Sequence, residues 1–445
     1  MTTGRLLPIL IKFTIPLILG NLLQLTYNAI DSIIVGRFVG SGALAAVGTS
    51  NPLMTLVILF LQGISLGAGI LTGTMYGARD YERLKRQVST GLVAGLVFSL
   101  ALSAVSILTS RQLLVLMQVD PAILDEAVRY LRVIALGLAF NFIYNYLAGT
   151  LRAMGDSRSP LYFLALSASL NVAGDLFFVV VCPLGITGAA IATVVSEGLS
   201  GILCWIYIVR KIPILNLGRR WFTFDFDLLK TTISYGFVSA MQQATVQMGK
   251  LGIQTMVNTL GVSATAAFNA VNRADDYAMV VEQNIAHAMT SVMAQNRGGG
   301  RMDRVNRSFR YGMIMELIYG FASGVMFYVL ANPLMHLFTE DPQVIELGEQ
   351  YMKLIAFMYV LPGITNGVQG YFRGMGDLRI TLISSMLNMG ARVASAAPMV
   401  FLFHMGFLAI PWSYLVGWAA MMAYEIPAVF RFRRKLSAGE SHDGL

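Results

Sequence analysis

Ionisable side chains set inside long apolar stretches are the residues of this chain that could do chemistry. Asp31, Asp175, Glu197, Asp275, Asp276, Glu282, Glu316 and Glu425 all interrupt such stretches, as do Lys250 and Arg392. A charge at membrane depth costs roughly 2.5–3.5 kcal/mol on insertion scales, so it marks function unless it is neutralised. Asn171 stands four residues before Asp175 and shares its helix face. Asp31, Asn171, Asp175 and Thr193 come from the same depth of three apolar runs and all offer oxygen, which suits a hard cation such as Na⁺. Two carboxylates held close and dry also compete for a proton, so the cluster suits H⁺ equally well. The other reading is that Asn171 and Thr193 only bond backbone or neighbouring helices.

The surrounding composition says what must position these groups. Of 445 residues only 13% are charged and 56% are hydrophobic, and the mean hydropathy is +0.64. A soluble domain carries about 25% charge, so soluble and disordered classes are both excluded. The net charge is +8, but the bases sit between apolar runs, as in membrane loops rather than a nucleic-acid surface. Cys182 and Cys204 lack metal-ligand spacing, and the four histidines are scattered. No P-loop or nucleotide-binding segment is present, so the chain carries no ATPase of its own.

Runs long enough to cross a bilayer number about twelve. In the first half they are Ile9–Gly36, Asn51–Met75, Thr90–Leu108, Leu124–Leu147, Tyr162–Val181 and Thr187–Val209. In the second they are Leu228–Val257, Thr265–Ala294, Tyr311–Leu330, Leu347–Gly367, Thr381–Phe403 and Phe407–Phe430. None alternates with period two, so the expected class is an all-α membrane protein rather than a barrel. Bases crowd every second loop, which predicts that both termini are cytoplasmic.

The halves repeat at one shift of 221 residues: Gly40 matches Gly261, Asn51 matches Asn272, and Asp120-Pro121 matches Asp341-Pro342. Arg152-Ala153-Met154-Gly155-Asp156 matches Arg373-Gly374-Met375-Gly376-Asp377 at the same shift. Here Gly supplies a turn, Asp a cap, and Arg an anchor to phosphates. The expected organisation is a first six-helix bundle over 1–210 (the cation-coupling lobe) and a cytoplasmic linker over 211–227. A second six-helix bundle over 228–431 and a cytoplasmic tail over 432–445 complete it. Because each half holds an even number of spans, the repeat is parallel, with a pseudo-two-fold axis along the membrane normal.

With these motifs the chain resembles the multidrug and toxic compound extrusion (MATE) transporters, and most of all the prokaryotic branch with the DinF-like members. The likeness rests on Ile15-Pro16, Asp31, the paired Met-Gly-Asp turns, and Leu170-Asn171-x-x-x-Asp175 followed by Gly188-Ala189-Ala190. It implies a secondary exporter of the prokaryotic plasma membrane, not an enzyme. Amphipathic, often cationic, organic compounds leave against inward H⁺ or Na⁺ by alternating access, with no cofactor. The implied partners are the bilayer and small organic cations or other xenobiotics, without nucleic acid, and the chain is expected to be monomeric. Asp31, Asn171, Asp175 and Thr193 match the family's N-lobe cation site. A lipid-linked precursor flippase or a narrow-substrate metabolite exporter of the same superfamily is the alternative, kept open by Arg392, Lys250 and Arg273.

Asp31 maps by the repeat to Gly252; Leu387-Asn388 matches Leu170-Asn171 at a shift reduced to 217, which maps Asp175 to Arg392, so ion coupling is expected in the first half alone. Candidates for a substrate cavity are Asp275, Asp276, Glu282, Gln243, Gln247, Arg392, Met248 and Tyr27, with Tyr144, Tyr277 and Phe268 behind them. The competing expectation is internal neutralisation of Asp276 or Glu282 by Arg392 or Lys250. Glu197 extends the first-half network or pairs locally. Glu316 and Glu425 lie near run ends and are expected to face headgroups.

Overall fold

The computed structural model describes residues 1–216 and 218–437; the last residues of the expected tail, His442 among them, lie outside the described residues. Among the described residues there is no strand. Fourteen α-helices follow one another: α1 (Leu6–Phe38), α2 (Ser41–Gly77), α3 (Tyr81–Leu116), α4 (Pro121–Leu136), α5 (Leu138–Ala153), α6 (Arg158–Asp175) and α7 (Gly185–Lys211). Then come α8 (Phe226–Asn258), α9 (Val262–Gly298), α10 (Met302–His336), α11 (Pro342–Ala356), α12 (Val360–Met375), α13 (Leu378–Phe401) and α14 (Ala409–Ser437). α4 and α5 form one span bent by 42° at Gly137. Taking α11 with α12 in the same way, the chain makes twelve passes.

Length and composition alone qualify seven helices as spans among the described residues, or eight with the bent pair. α8, α9 and α13 have the length but carry the second-half charges and amides, which dilute their apolar character.

The repeat survives as geometry. Gly40 and Gly261 cap α2 and α9 with φ of 116° and 103°, a region open to glycine. Asp120 accepts from the Ala122 N–H and Asp341 from the Gln343 N–H, so both open a helix at proline. Gly155 and Gly376 make the expected turns at φ of 100° and 79°. Asp156 caps α6 through the Arg158 and Ser159 N–H groups, whereas Asp377 makes no side-chain cap.

The chain forms two compact units, residues 15–240 and residues 1–14 together with those from Met241 on. In the first, α3 turns Gly91, Gly95, Ser99, Ser103, Ser106 and Ser110 inward and leaves Val97, Leu100, Val105 and Leu108 exposed. That is an arrangement for lipid: small residues let helices approach, and large apolar ones face acyl chains. Gly91 and Gly95 leave the room that the Tyr146 and Phe142 rings of α5 fill. The stretch between α7 and α8 is not a loose tether. Leu215 and Trp221 are buried in the first unit's core, and Ser89 Oγ donates to Trp221 O at 2.9 Å.

In the second unit one core gathers Phe268, Phe327, Tyr351, Tyr359 and Phe407. Another joins Leu6 and Leu10 of α1 to Met289, Met293, Tyr371, Phe372 and Phe432.

Candidate functional site

Asp31 lies seven residues before the end of α1, and Asp175 is the last residue of α6. Past Asp175 the backbone widens into a π-helical turn, Leu176–Val181, a deviation common at functional positions. Two close approaches press this segment onto α7. A Cβ on Gly174 would lie 2.9 Å from Ala192 Cβ, and one on Gly188 would lie 2.8 Å from Phe178 O. This packing sets Asn171 opposite Thr193, and Asn171 Nδ2 donates to Thr193 Oγ1 at 3.2 Å. Thr193 in turn donates to Ala189 O at 3.1 Å.

Asp31 and Asp175 face one another closely enough for each to act on the other's charge. Asp175 is wholly buried. Neither of its oxygens has a hydrogen-bond donor, and the same holds for Asp31 Oδ1 and Asn171 Oδ1. Four acceptor oxygens on these three residues therefore stand without donors, a lack that a proton or a hard cation satisfies.

Nearer the other end of the same unit a polar pocket is lined by Pro16, Gln24, Tyr27, Asn141, Arg152 and Glu197, among others. Asn141 Nδ2 donates to Glu197 Oε1 at 2.7 Å, and Asn145 Nδ2 donates to Asn141 Oδ1 at 3.1 Å. Glu197 thus sits in a local amide network. Tyr27 and Tyr144 both line this pocket.

The second unit follows the neutralisation expectation at Asp276 but not at Glu282. Lys250 Nζ lies 3.5 Å from Asp276 Oδ1, both side chains being more than half exposed. Arg392 meets no carboxylate. Its guanidinium lies 3.5 Å from the Tyr414 ring centre and 5.4 Å from that of Trp418. Asp275 accepts from the Tyr359 hydroxyl and lines a small pocket with Asn272, Met279, Tyr351, Tyr414 and Trp418. Glu282 is fully buried, its Oε2 taking only a 3.4 Å hydrogen bond from Asn366, so it lines no open wall.

Gln243 and Met248 are exposed on their unit, outside that pocket, and Gln247 is half-buried. Phe268 is core, edge-on to Tyr351, while Tyr277 is exposed. Most of the methionines of α8 and α9 are packing residues, with Met289 and Met293 wholly buried.

Three expectations need correction. Glu316 and Glu425 do not face headgroups: they are 0% and 1% exposed, Glu316's carboxyl oxygens have no partner, and Glu425 lies beside Ser384 and Gln369. The reason is that the helices outrun the apolar runs. α10 starts at Met302 and takes Arg304, Arg307 and Arg310 into its first turns, which moves Glu316 well inside. α14 likewise continues through Arg431, Arg433 and Arg434. Arg373, expected to anchor to phosphates, is buried and donates from Nη2 to Gln369 Oε1 at 2.8 Å. Gln369 in turn accepts from Gln242 Nε2 at 3.0 Å. Period and charge in the sequence could have flagged this network only if Gln369 and Arg373 had been read as an i, i+4 pair.

The long apolar helices with acids inside them define a multi-span membrane protein. The MatE family model matches twice, over residues 16–177 and 239–398, once in each half of the repeat, and the chain belongs to that family. The probable multidrug resistance protein YpnP of Bacillus subtilis is 28% identical over 390 residues, covering 87% of this chain and 86% of its own. The probable multidrug resistance protein NorM of Thermotoga maritima is 25% identical over 433 residues, covering 96% and 90%. A solved structure described as an outward-facing multidrug resistance MATE family transporter superposes with a TM-score of 0.90. It is 22% identical and covers 98% of this chain and 97% of that one, so it speaks for the fold.

Proposed function

We propose that this protein is a cation-coupled antiporter of the prokaryotic plasma membrane that exports amphipathic, often cationic, organic compounds. The observation that carries the reading is the Asp31–Asp175 pair, two acids within apolar spans, with Asp31 Oδ1 and both Asp175 oxygens lacking donors. Ion inflow neutralises the pair, and the neutral and charged pairs favour different packings of α1 against α6. Asn171 Oδ1 supplies a third oxygen, and Thr193 fixes the direction of that carboxamide. Both termini are cytoplasmic and the two halves alternate access to a monomer's central path. Relatives named for multidrug resistance and multidrug export support the substrate class.

The driving force is adequate. One cation moving inward gains about 2.3 kcal/mol per 100 mV, and a tenfold gradient adds about 1.4 kcal/mol. Whether the ion is H⁺ or Na⁺ is decided by transport. The test is ethidium efflux from proteoliposomes under imposed H⁺ or Na⁺ gradients, wild type beside Asp175→Asn and Asp31→Asn. Gradient-driven efflux abolished in both variants is expected. Ion-driven efflux retained in the double variant would overturn the assignment of coupling to the first half.

The flippase reading has less support. It needs several bases open to a pyrophosphate, whereas Arg392 is covered by Tyr414 and Trp418 and Lys250 is paired with Asp276, which leaves Arg273 as the exposed one of the three.

A further inference from the structure

Asn141, Asn145, Ala148 and Arg152 follow one another on α5 at spacings of four, three and four, which set them on one face of the helix. Asn141, Asn145 and Arg152 line the polar pocket of the first unit, with Tyr144 of the same helix and Glu197 of α7. The acidic end of this pocket is tied down. Asn141 Nδ2 donates to Glu197 Oε1 at 2.7 Å, and Asn145 Nδ2 donates to Asn141 Oδ1 at 3.1 Å. The basic end is not. Among the described residues no hydrogen bond, ion pair or aromatic ring engages the Arg152 guanidinium, which is half-buried.

The repeat shows what has been taken away. Arg373, the counterpart of Arg152, donates to Gln369 Oε1 at 2.8 Å, and Gln369 is held in turn by Gln242 and Ser385. The first half has Ala148 in place of Gln369 and, at the shift of 217, Ala168 in place of Ser385. Both alanines are buried. The second half thus spends its arginine on a buried amide, whereas the first half keeps the arginine and removes the groups that would engage it. The last turn of a helix favours a base, but that field does not require the side chain to line a pocket.

A bare guanidinium is a fork for carboxylate or phosphate, and holds either through paired hydrogen bonds. Glu197 does not fill it, because no ion pair joins the two among the described residues. Asn141, which holds Glu197, stands eleven residues before Arg152, about 16 Å along the helix axis. The arginine side chain leans back along α5 and closes only part of that distance. An acid and a base at opposite ends of one pocket suit a molecule that carries both charges. Neither Asp31 nor Asp175 lines the pocket.

We propose that this pocket binds an extended zwitterion, its anionic group in the Arg152 fork and its ammonium group at Glu197. This names a substrate class for the export proposed above and rests on that reading, although the binding itself needs no ion gradient. A phosphatidylethanolamine headgroup, whose two charges stand one ethyl link apart, is too short to reach both ends.

The test is calorimetric titration of the full-length protein in lipid nanodiscs, without a gradient. The probes are ω-aminooctanoate, its methyl ester and its N-acetyl derivative. Each capped probe gives up one charge-assisted contact and is expected to bind about tenfold more weakly than the zwitterion. Arg152→Gln abolishes the preference over the methyl ester while the ester binds as before, and Glu197→Gln abolishes the preference over the N-acetyl probe. Ala148→Gln supplies the amide that Arg373 has and likewise costs the preference over the ester. Equal binding of the three probes, or no binding of any, overturns the proposal, and so does a preference over the ester that survives in Arg152→Gln. Should that variant not fold, Arg152→Lys keeps the charge and loses the fork; an undiminished preference there overturns the proposal as well. Affinity that falls as phosphatidylethanolamine is added to the disc gives the pocket to a lipid headgroup and overturns the extended ligand. Absent ethidium efflux beside intact probe preferences would sink the antiporter and leave the pocket standing.

Discussion

Asn171 of α6 donates through Nδ2 to Thr193 Oγ1 of α7 at 3.2 Å, and Thr193 hands its own proton to Ala189 O. The hydroxyl is thus engaged on both sides, and it orients Asn171 Oδ1, which has no donor of its own. Thr193→Val keeps the volume and removes the tie. A net hydrogen bond contributes about 1 kcal/mol, so apparent ion affinity in the efflux assay should fall about fivefold, with a lowered melting temperature. Thr193→Ser should restore both. An unchanged ion dependence in Thr193→Val would leave the hydroxyl with no part in positioning Asn171.

Gly188 is where α7 meets the π-helical turn after Asp175, its missing Cβ standing 2.8 Å from Phe178 O. Backbone cannot yield as a side-chain tip does. Gly188→Ala should destabilise by ~1–3 kcal/mol through overpacking, seen as a lower melting temperature in detergent. Gly390→Ala, which meets nothing within 4 Å, is the control and should melt as wild type does.

Arg392 stacks on Tyr414 inside the second unit rather than seeking an acid. A desolvated cation–π contact is worth about 2 kcal/mol or more. In a double-mutant cycle of Arg392→Met and Tyr414→Leu, the combined loss of stability should fall short of the sum by about that amount. Additive losses would show that the stacking contributes nothing.

The Lys250–Asp276 pair is half open to its surroundings, and such pairs contribute ~0–1 kcal/mol. Lys250→Gln should leave the melting temperature nearly unchanged. A large drop, comparable to that of an Arg392 variant, would mean that the pair is shielded from water in the folded protein.

Much of the candidate site was legible in the sequence. Asp31 and Asp175 stand out because a carboxylate in an apolar run is conspicuous wherever the run is found, and Asn171 follows from helical spacing. Glu316 and Glu425 were misplaced because their depth was measured from the edge of apolar composition. The helices begin and end elsewhere, in basic turns that the apolar window excludes. Arg373 was misread although Gln369 stands four residues before it on α12; what needs the tertiary structure is the convergence of Gln242 of α8 and Ser385 of α13 on Gln369.

By itself the sequence determined the all-helical membrane class, the twelve passes, the repeat and its capping residues, because hydropathy, turn chemistry and spacing are local properties. Only the tertiary structure decided which charges are paired, stacked or left bare. It tied Lys250 to Asp276, laid Arg392 under Tyr414, and buried both Glu282 and Glu316. A charge's energy depends on what lies across the helix crossing, and that is set by residues on other helices, more than twenty positions away.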